Sequence, residues 1–196
     1  MRYSGDHKAE TRARLVREAA RAIRAKGPDG VGVAGVMKRL GLTHGGFYAH
    51  FPSKDALIAA ATEAMFASAR RRSAGLEEGD PRAALRAYLD FYLSPEHRDR
   101  RDVGCPLPAL SGDFARTQGE ARDRFSAGIA GLTGRLARAL ARIEVDQPER
   151  EASAMLSQMV GAVALSRAAT DAAQAELILA NAKAALVSRY GLGEAA

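Results

Sequence analysis

Residues 33–58 read VAGVMKRLGLTHGGFYAHFPSKDALI, and this stretch decides the fold of the N-terminal part of the chain. Gly41 allows the left-handed backbone that ends one short helix, and Thr43 is a good N-cap for the next. Phe47 and Phe51 are four residues apart, so they share one face of that second helix and point into a core. The stretch therefore predicts two short helices joined by a tight glycine turn.

A longer helix precedes this pair, because apolar residues recur at helical spacing before Gly27 and Pro28 end the pattern. Two short helices packed against a longer one describe a helix-turn-helix. Few β-branched runs occur elsewhere, so the sequence predicts an all-α protein of about nine helices. The predicted helical segments are residues 7–26, 33–40, 43–50, 54–72, 81–93, a short irregular piece within 102–113, 116–143, 148–170 and 172–190.

The second short helix contains two adjacent glycines, Gly45 and Gly46. Each costs a helix about 1 kcal/mol relative to alanine, so the pair indicates that something approaches the backbone closely. A DNA major groove is one such partner. The alternative is that both glycines lie in a loop and that Phe47 starts a new helix. The residues left for the exposed faces are Thr43, His44, Gly45, Gly46, Tyr48 and His50.

Positive charge is concentrated in the first third of the chain. Residues 1–60 contain 11 Lys and Arg against 5 Asp and Glu, whereas residues 61–196 contain 18 of each, so the net charge of +6 lies entirely in the first part. This asymmetry favours a polyanion-binding module joined to a neutral body, although basic domains are also common without that role. We therefore divide the chain into domains at residues 1–60 and 61–196.

Three cations are placed for contact with phosphate. Ser53 is the expected N-cap of the next helix, and the free amides there together with Lys54 form an anion site. Lys8 and Arg12 lie in the first turns of the first helix. A stripe of four arginines on the opposite side of that helix from its apolar residues is better explained as a face exposed to solvent. Its members are Arg14, Arg17, Arg21 and Arg24.

The stretch around Gly45 resembles the recognition segment of the TetR family of bacterial regulators. The matching residues are Thr43, His44, Gly45, Gly46, Phe47, Tyr48, His50, Phe51 and Lys54. The resemblance covers about residues 8–60. Two departures are Gly32, where the family often has a Ser or Thr cap, and Gly46, which offers no side chain. Base reading is then expected from Thr43, His44 and Tyr48.

The resemblance implies a DNA-binding transcriptional regulator: a repressor released from a palindromic operator by a small-molecule inducer, with an electrophile as one candidate. Double-stranded DNA with an inverted repeat, the inducer and a second copy of the chain are the expected partners. An activator remains an alternative, and so does a non-specific DNA-compacting protein. No nucleophile–base pair, metal-ligand cluster or phosphate-binding glycine loop is recognisable, so we expect no enzyme, no cofactor and no metal.

The resemblance also implies that residues 61–196 bind the ligand and form the dimer through the last two helices. Apolar residues at helical spacing occur on both, although the same stripes fit the chain's own core. They are Met155, Leu156, Met159, Val160 and Val163 on one helix and Leu177, Ile178, Ala182, Ala185 and Leu186 on the other.

Aromatic and sulfur-containing residues concentrate in the middle of this part and are candidates for an apolar ligand pocket. Each alone is more often plain core. The candidates are Phe66, Tyr88, Phe91, Tyr92, Cys105, Phe114, Phe125 and Met159. A Gly-Cys pair at Cys105 resembles a subgroup of the family that senses oxidants or electrophiles, and Arg100 and Arg101 nearby favour a reactive thiolate. The alternative for Cys105 is a small buried apolar residue.

No apolar run approaches the roughly 20 residues that a membrane-spanning helix needs. The first residues are polar and charged and contain no signal-peptide apolar stretch. We therefore expect a cytoplasmic protein without membrane contact.

Overall fold

The computed structural model describes residues 2–193, in which every regular element is a helix and no strand occurs. The predicted all-α class is confirmed. The α-helices are α1 (Arg2–Lys26), α2 (Val33–Arg39), α3 (Lys54–Arg72), α4 (Pro81–Tyr92), α5 (Pro95–Asp99), α6 (Leu107–Phe114), α7 (Glu120–Ala141), α8 (Pro148–Ala168) and α9 (Ala172–Arg189). Two 3-10 helices, His44–Ala49 and Ala74–Glu77, lie between them. None of these helices is long and apolar enough to cross a bilayer.

Local signals set most of the helix ends. Gly27 ends α1 with a φ of 73°, and Gly41 follows α2 with a φ of 69°, a region that favours glycine. The hydroxyl of Ser53 accepts a hydrogen bond from the backbone N–H of Ala56 at 3.1 Å, which caps the first turn of α3. The predicted ends at these three positions are confirmed.

Some elements differ from the prediction. The predicted α-helix over residues 43–50 is a 3-10 helix, His44–Ala49. A second 3-10 helix, Ala74–Glu77, lies between the predicted helical segments 54–72 and 81–93, where no helix was expected. Helix α5 was not predicted; the hydroxyl of Ser94 caps it by accepting from the N–H of His97. The predicted start of α7 near residue 116 is wrong, since Gly119 has a φ of 73° and α7 begins after it.

The chain divides into two compact units. The first contains the chain up to Ser68 together with Ala109–Gly128, and the second contains Ala69–Pro108 and the residues from Ile129 onward. The predicted domain boundary at residue 60 stays a prediction. In the first unit, α1 packs on α2, and an ion pair joins Glu18 to Arg39. The buried residues of this unit include Leu15, Ala19, Ile23, Val36, Met37, Phe47, Phe51, Leu57, Met65, Phe66, Phe114 and Phe125.

In the second unit, α8 and α9 form the most extensively packed pair of helices. The predicted stripe on α8 faces this unit's own core, because Met155, Met159 and Val163 are fully buried. Arg82 on α4 donates to the backbone carbonyls of Tyr190 and Gly191 at 3.2 and 3.1 Å, which fixes the chain after α9 against α4.

Gly128 on α7 lies close to the ring of Phe66, and a residue with a side chain at this position would disturb their packing. A Cβ atom added there would lie 2.4 Å from ring atoms of Phe66, whose ring packs edge-on against Phe125 at 5.3 Å. Both rings are buried, so Phe66 has little room to move. Gly131, one turn further along α7, would meet no atom within 4 Å.

We expect Gly128→Ala to lower the free energy of unfolding by about 1 kcal/mol or more, because overpacking outweighs the helix-propensity gain. The matched variant Gly131→Ala should raise it by up to about 1 kcal/mol, the propensity gain alone. Urea denaturation of both variants measures the difference. Equal stabilisation by the two substitutions would contradict the close packing of Phe66 on α7.

Candidate nucleic-acid interface

The recognition segment, residues 43–50, is held in place by two buried phenylalanines. Phe47 and Phe51 are each 1% exposed, and their rings stack with centroids 5.9 Å apart. The backbone turns through i to i+3 hydrogen bonds, from the N–H of Gly46 to the carbonyl of Thr43 at 3.1 Å and from the N–H of His50 to the carbonyl of Phe47 at 2.9 Å. Burial of these rings therefore positions a short 3-10 segment, whose backbone hydrogen bonds have poorer geometry than those of an α-helix.

The opposite side of the recognition segment faces solvent. Tyr48 is 65% exposed, and its ring lies edge-on to Phe47 at 5.3 Å. Thr43 and His44 are also exposed, while His50 is half-buried. Thr43 occupies the predicted N-cap position with extended backbone, but its hydroxyl makes no cap hydrogen bond. The three residues expected to read bases thus lie together on an exposed surface.

The glycine pair lies inside the 3-10 helix, so the alternative of a loop before a new helix at Phe47 is wrong. Neither Gly45 nor Gly46 is among the described glycines with positive φ. A Cβ atom on Gly45 would meet nothing within 4 Å, and one on Gly46 would lie 3.5 Å from the Thr43 hydroxyl oxygen, an ordinary contact. Neither packing nor backbone conformation within the chain requires glycine at these two positions.

Cations border the recognition segment. Arg12 on α1 places its guanidinium 4.5 Å from the centroid of the Phe51 ring, which brings α1 beside the segment. Lys54, the first residue of α3, is half-buried, and its ammonium lies 3.4 Å from the carbonyl of Asp29. Lys8 is exposed on α1, one turn before Arg12. These positions suit contacts to phosphates on either side of a groove.

The solvated stripe predicted on α1 is only partly correct. Arg14, Arg17 and Arg21 are exposed, but Arg24 is 8% exposed and belongs to the interior of the first unit. A helical-wheel pattern places all four on one side but contains no information about which neighbouring element covers its last turn.

The predicted ligand-pocket residues fall into two groups, one in each unit. Phe66, Phe114 and Phe125 belong to the first unit, where Phe114 and Phe125 stack at 4.3 Å with their planes 9° apart. All three are buried. Tyr88, Phe91, Tyr92, Cys105 and Met159 belong to the second unit. Of these, Phe91 is 38% exposed, and the others are buried.

His97 organises the second group and was not singled out from the sequence. Its Nδ1–H donates to the carbonyl of Tyr92 at 2.7 Å, and its Nε2 accepts from the backbone N–H of Cys105 at 2.9 Å. These two roles require the neutral imidazole with the proton on Nδ1. Burial, the largest influence, lowers the pKa of His97 and favours the same neutral form.

Gly104 explains how the backbone comes so close to this ring. A Cβ atom on Gly104 would lie 3.0 Å from His97 ring atoms and from the carbonyl oxygen of Arg100. In the sequence, Gly104 was therefore the available signal for a tight contact at this position. A glycine alone does not show that its partner is His97. Cys105 itself is buried.

A groove of about 610 Å³ opens between α4 and the 3-10 helix Ala74–Glu77. Among the eight predicted pocket residues, Tyr88 and Phe91 line it, and its polar lining includes Arg72, Glu78 and Asp80. The volume is within the range of sites for small organic molecules. Within the described residues, no group of His, Cys, Asp and Glu is arranged to hold a metal ion.

A short segment anchored by buried rings, with polar side chains exposed on its outer face and cations beside it, defines a helix-turn-helix DNA-binding protein. Residues 15–61 match the model of the bacterial regulatory proteins of the tetR family. The resemblance of the N-terminal part of the chain to the TetR family is therefore confirmed over residues 15–61.

Similar solved structures extend over nearly the whole chain. A TetR transcriptional regulator from Chloroflexus aurantiacus J-10-FL is 28% identical, with a TM-score of 0.80 over 95% of this chain and 96% of that one. E. coli NemR in its reduced form is 22% identical, with a TM-score of 0.80 over 91% and 96%. A TetR-family regulator from Agrobacterium tumefaciens is 19% identical, with a TM-score of 0.79 over 93% and 98%. No curated protein matches the sequence.

We expect Gly45→Ala to leave the free energy of unfolding unchanged or slightly raised, because the new methyl group meets no atom of the chain. Affinity for specific DNA should fall by about tenfold, the loss typical of one damaged base contact. Fluorescence anisotropy with a duplex recovered by the selection described below measures the affinity, and urea denaturation measures stability.

Gly112→Ala on α6 is the matched control, since a Cβ atom there also meets nothing within 4 Å. It should bind DNA as the unmodified protein does. Unchanged DNA affinity of Gly45→Ala would show that the backbone of the recognition segment does not approach the groove closely.

Proposed function

We propose that the protein is a repressor that binds an inverted-repeat operator as a homodimer and is released by a small-molecule inducer. The observation that carries this proposal is the exposed surface of Thr43, His44 and Tyr48 above the buried Phe47 and Phe51. Since its partner is DNA, we place its action in the bacterial cytoplasm.

In this proposal the recognition segment enters the major groove. Thr43, His44 and Tyr48 contact base edges, and the absence of side chains at Gly45 and Gly46 lets the backbone approach them. Lys54, Arg12 and Lys8 contact phosphates, which orient the protein without reading sequence. Half-buried His50 is the last residue of the segment and is a further candidate for contact with DNA. Affinity should then fall steeply with salt concentration.

The outer face of α8 and α9 supports the proposed dimer. Leu165 and Leu177 are 63% and 57% exposed, although both are large and apolar. Half-buried Gly161 and exposed Ala180 are small residues on these helices and permit close approach of another helix. A second copy is the occupant we propose, because a twofold protein matches the two half-sites of an inverted repeat.

The groove beside α4 is where we place the inducer. It combines the rings of Tyr88 and Phe91 with a few charged groups, the usual composition of a small-molecule site. An inducer acts by binding one dimer geometry more tightly than the DNA-competent one, which shifts the population away from DNA.

The test of this function is selection of random duplex DNA by the purified protein at near-physiological salt. We expect an inverted repeat, because two recognition segments read two equivalent half-sites. Salt-sensitive binding without any recovered motif would favour the non-specific DNA-compacting alternative, and no binding would contradict the proposal.

A double variant tests the dimer in the same selection. Leu165→Glu combined with Leu177→Glu adds charge to the proposed interface, so it should elute as a monomer and recover no repeat. Ile129→Glu is the control, because Ile129 is a comparably exposed apolar residue on α7, at 40%. Loss of the repeat in both proteins would place the interface elsewhere.

An electrophilic inducer would act on Cys105, which is the one cysteine of the chain. Its backbone N–H binds His97, so an adduct on its thiol would strain the contact between the residues after α5 and the His97 ring. The NemR structure with a similar fold is that of a reduced form. We expect Cys105→Ser to abolish release of DNA by electrophiles such as N-ethylmaleimide. If electrophiles still released DNA fully from the Cys105→Ser protein, Cys105 would be a buried core residue and not the sensor.

A further inference from the structure

A second groove, of about 390 Å³, lies where the end of α8 and the start of α9 meet the end of α5. Its charged lining residues are Arg98, Asp99, Arg101 and Arg167. Three of the four are cations, and the groove shares no lining residue with the one beside α4.

Arg167 has a structural contact and an unused donor. Its Nε and Nη2 atoms donate to the carbonyls of Arg98 and His97 at 2.8 and 3.0 Å, which satisfies carbonyl groups at the end of α5. Its Nη1 atom is buried and has no hydrogen-bond partner among the described residues. A buried donor on a charged group is costly to leave without a partner.

The charges around this donor do not balance. Asp99 is bound to Arg98 through both carboxylate oxygens, at 2.7 and 3.1 Å. The side chain of Arg101 is exposed and forms no ion pair with any described residue. Loss of solvation and then the charge of Arg101 lower the pKa of Arg167, so the two guanidinium groups act on each other.

Other acidic groups nearby already have partners or lie further away. Asp171 caps α9 by accepting from the N–H groups of Ala173 and Gln174. The charge of Glu176 acts on Arg98, which already binds Asp99. The charge of Asp99 acts on Arg167 as well as on Arg98, so one carboxylate stands against three guanidinium groups in the lining and the groove keeps a net positive charge.

We propose that this groove binds a small organic anion through a carboxylate or phosphate group held between Arg101 and Arg167. Guanidinium groups bind the oxygens of either group in bidentate geometry. Ala169, Ala172 and Ala175 line the groove and provide an apolar surface for a short hydrocarbon part. Thr170 also lines the groove.

An anion bound here would contact the guanidinium that joins α8 to α5. Helix α5 also contains His97, which binds the backbone of Cys105. As an effector of DNA binding, a role that rests on the proposed function, the anion would act on the contact between these helices. The binding site itself is independent of DNA.

The test is isothermal titration of the DNA-free protein with inorganic phosphate and, separately, with benzoate, at ionic strength held constant with chloride. We expect saturable millimolar or tighter binding of at least one probe. Arg101→Gln should weaken it by about tenfold, because one charge-assisted contact is removed. Arg101 is exposed, so this substitution leaves the packing intact.

Arg100→Gln is the matched control, because it removes the same charge from the neighbouring position. Arg100 pairs with Glu96 at 3.5 Å and does not line the groove, so its loss should leave binding unchanged. Absence of saturable binding for both probes, or equal weakening by the two substitutions, would overturn the proposal. A failure of operator recognition would leave these titrations unaffected, so the two proposals fail separately.

Discussion

Burial of Phe47 and Phe51 beneath the recognition segment is the interaction on which the proposed DNA-binding surface depends. The 3-10 helix His44–Ala49 has six residues, and its hydrogen bonds have poorer geometry than those of an α-helix, so it depends on packing to keep its shape. The two stacked rings fix the segment to the first unit, and the guanidinium of Arg12 covers Phe51 from α1. Exposed Tyr48 and the glycine pair keep their positions because the residues beneath them are apolar and closely packed.

In the second unit, a polar interaction has a comparable role. Neutral His97 joins the end of α4, at the Tyr92 carbonyl, to the backbone of Cys105 before α6. Arg167 joins α8 to the carbonyl of the same histidine. Elements that are distant in sequence therefore meet around one imidazole, and a change at Cys105 or at Arg167 acts on the same few hydrogen bonds.

The sequence was informative where the deciding interactions are local. Gly27 and Gly41 end helices because their backbone conformation favours glycine, and Ser53 caps the turn that follows it. Helix α5 has five residues and is too short for a periodic pattern. The choice of 3-10 over α geometry at residues 44–49, and the separation of core rings from groove-lining rings such as Phe91, depend on long-range packing. Spacing along the chain contains no information about that packing.

Order and hydrogen-bond protection are separate properties in the recognition segment. The segment is a short 3-10 helix at the surface, and its backbone hydrogen bonds have poorer geometry than those of an α-helix. We therefore expect its amide protons to exchange faster than those of the long helices, even though the rings of Phe47 and Phe51 fix its position. Backbone amide exchange would therefore report a labile segment, whereas ring contacts such as that of Phe47 with Tyr48 would report an ordered one. In this protein, fast amide exchange at the proposed DNA-binding surface is compatible with side chains that are already in place before DNA binds.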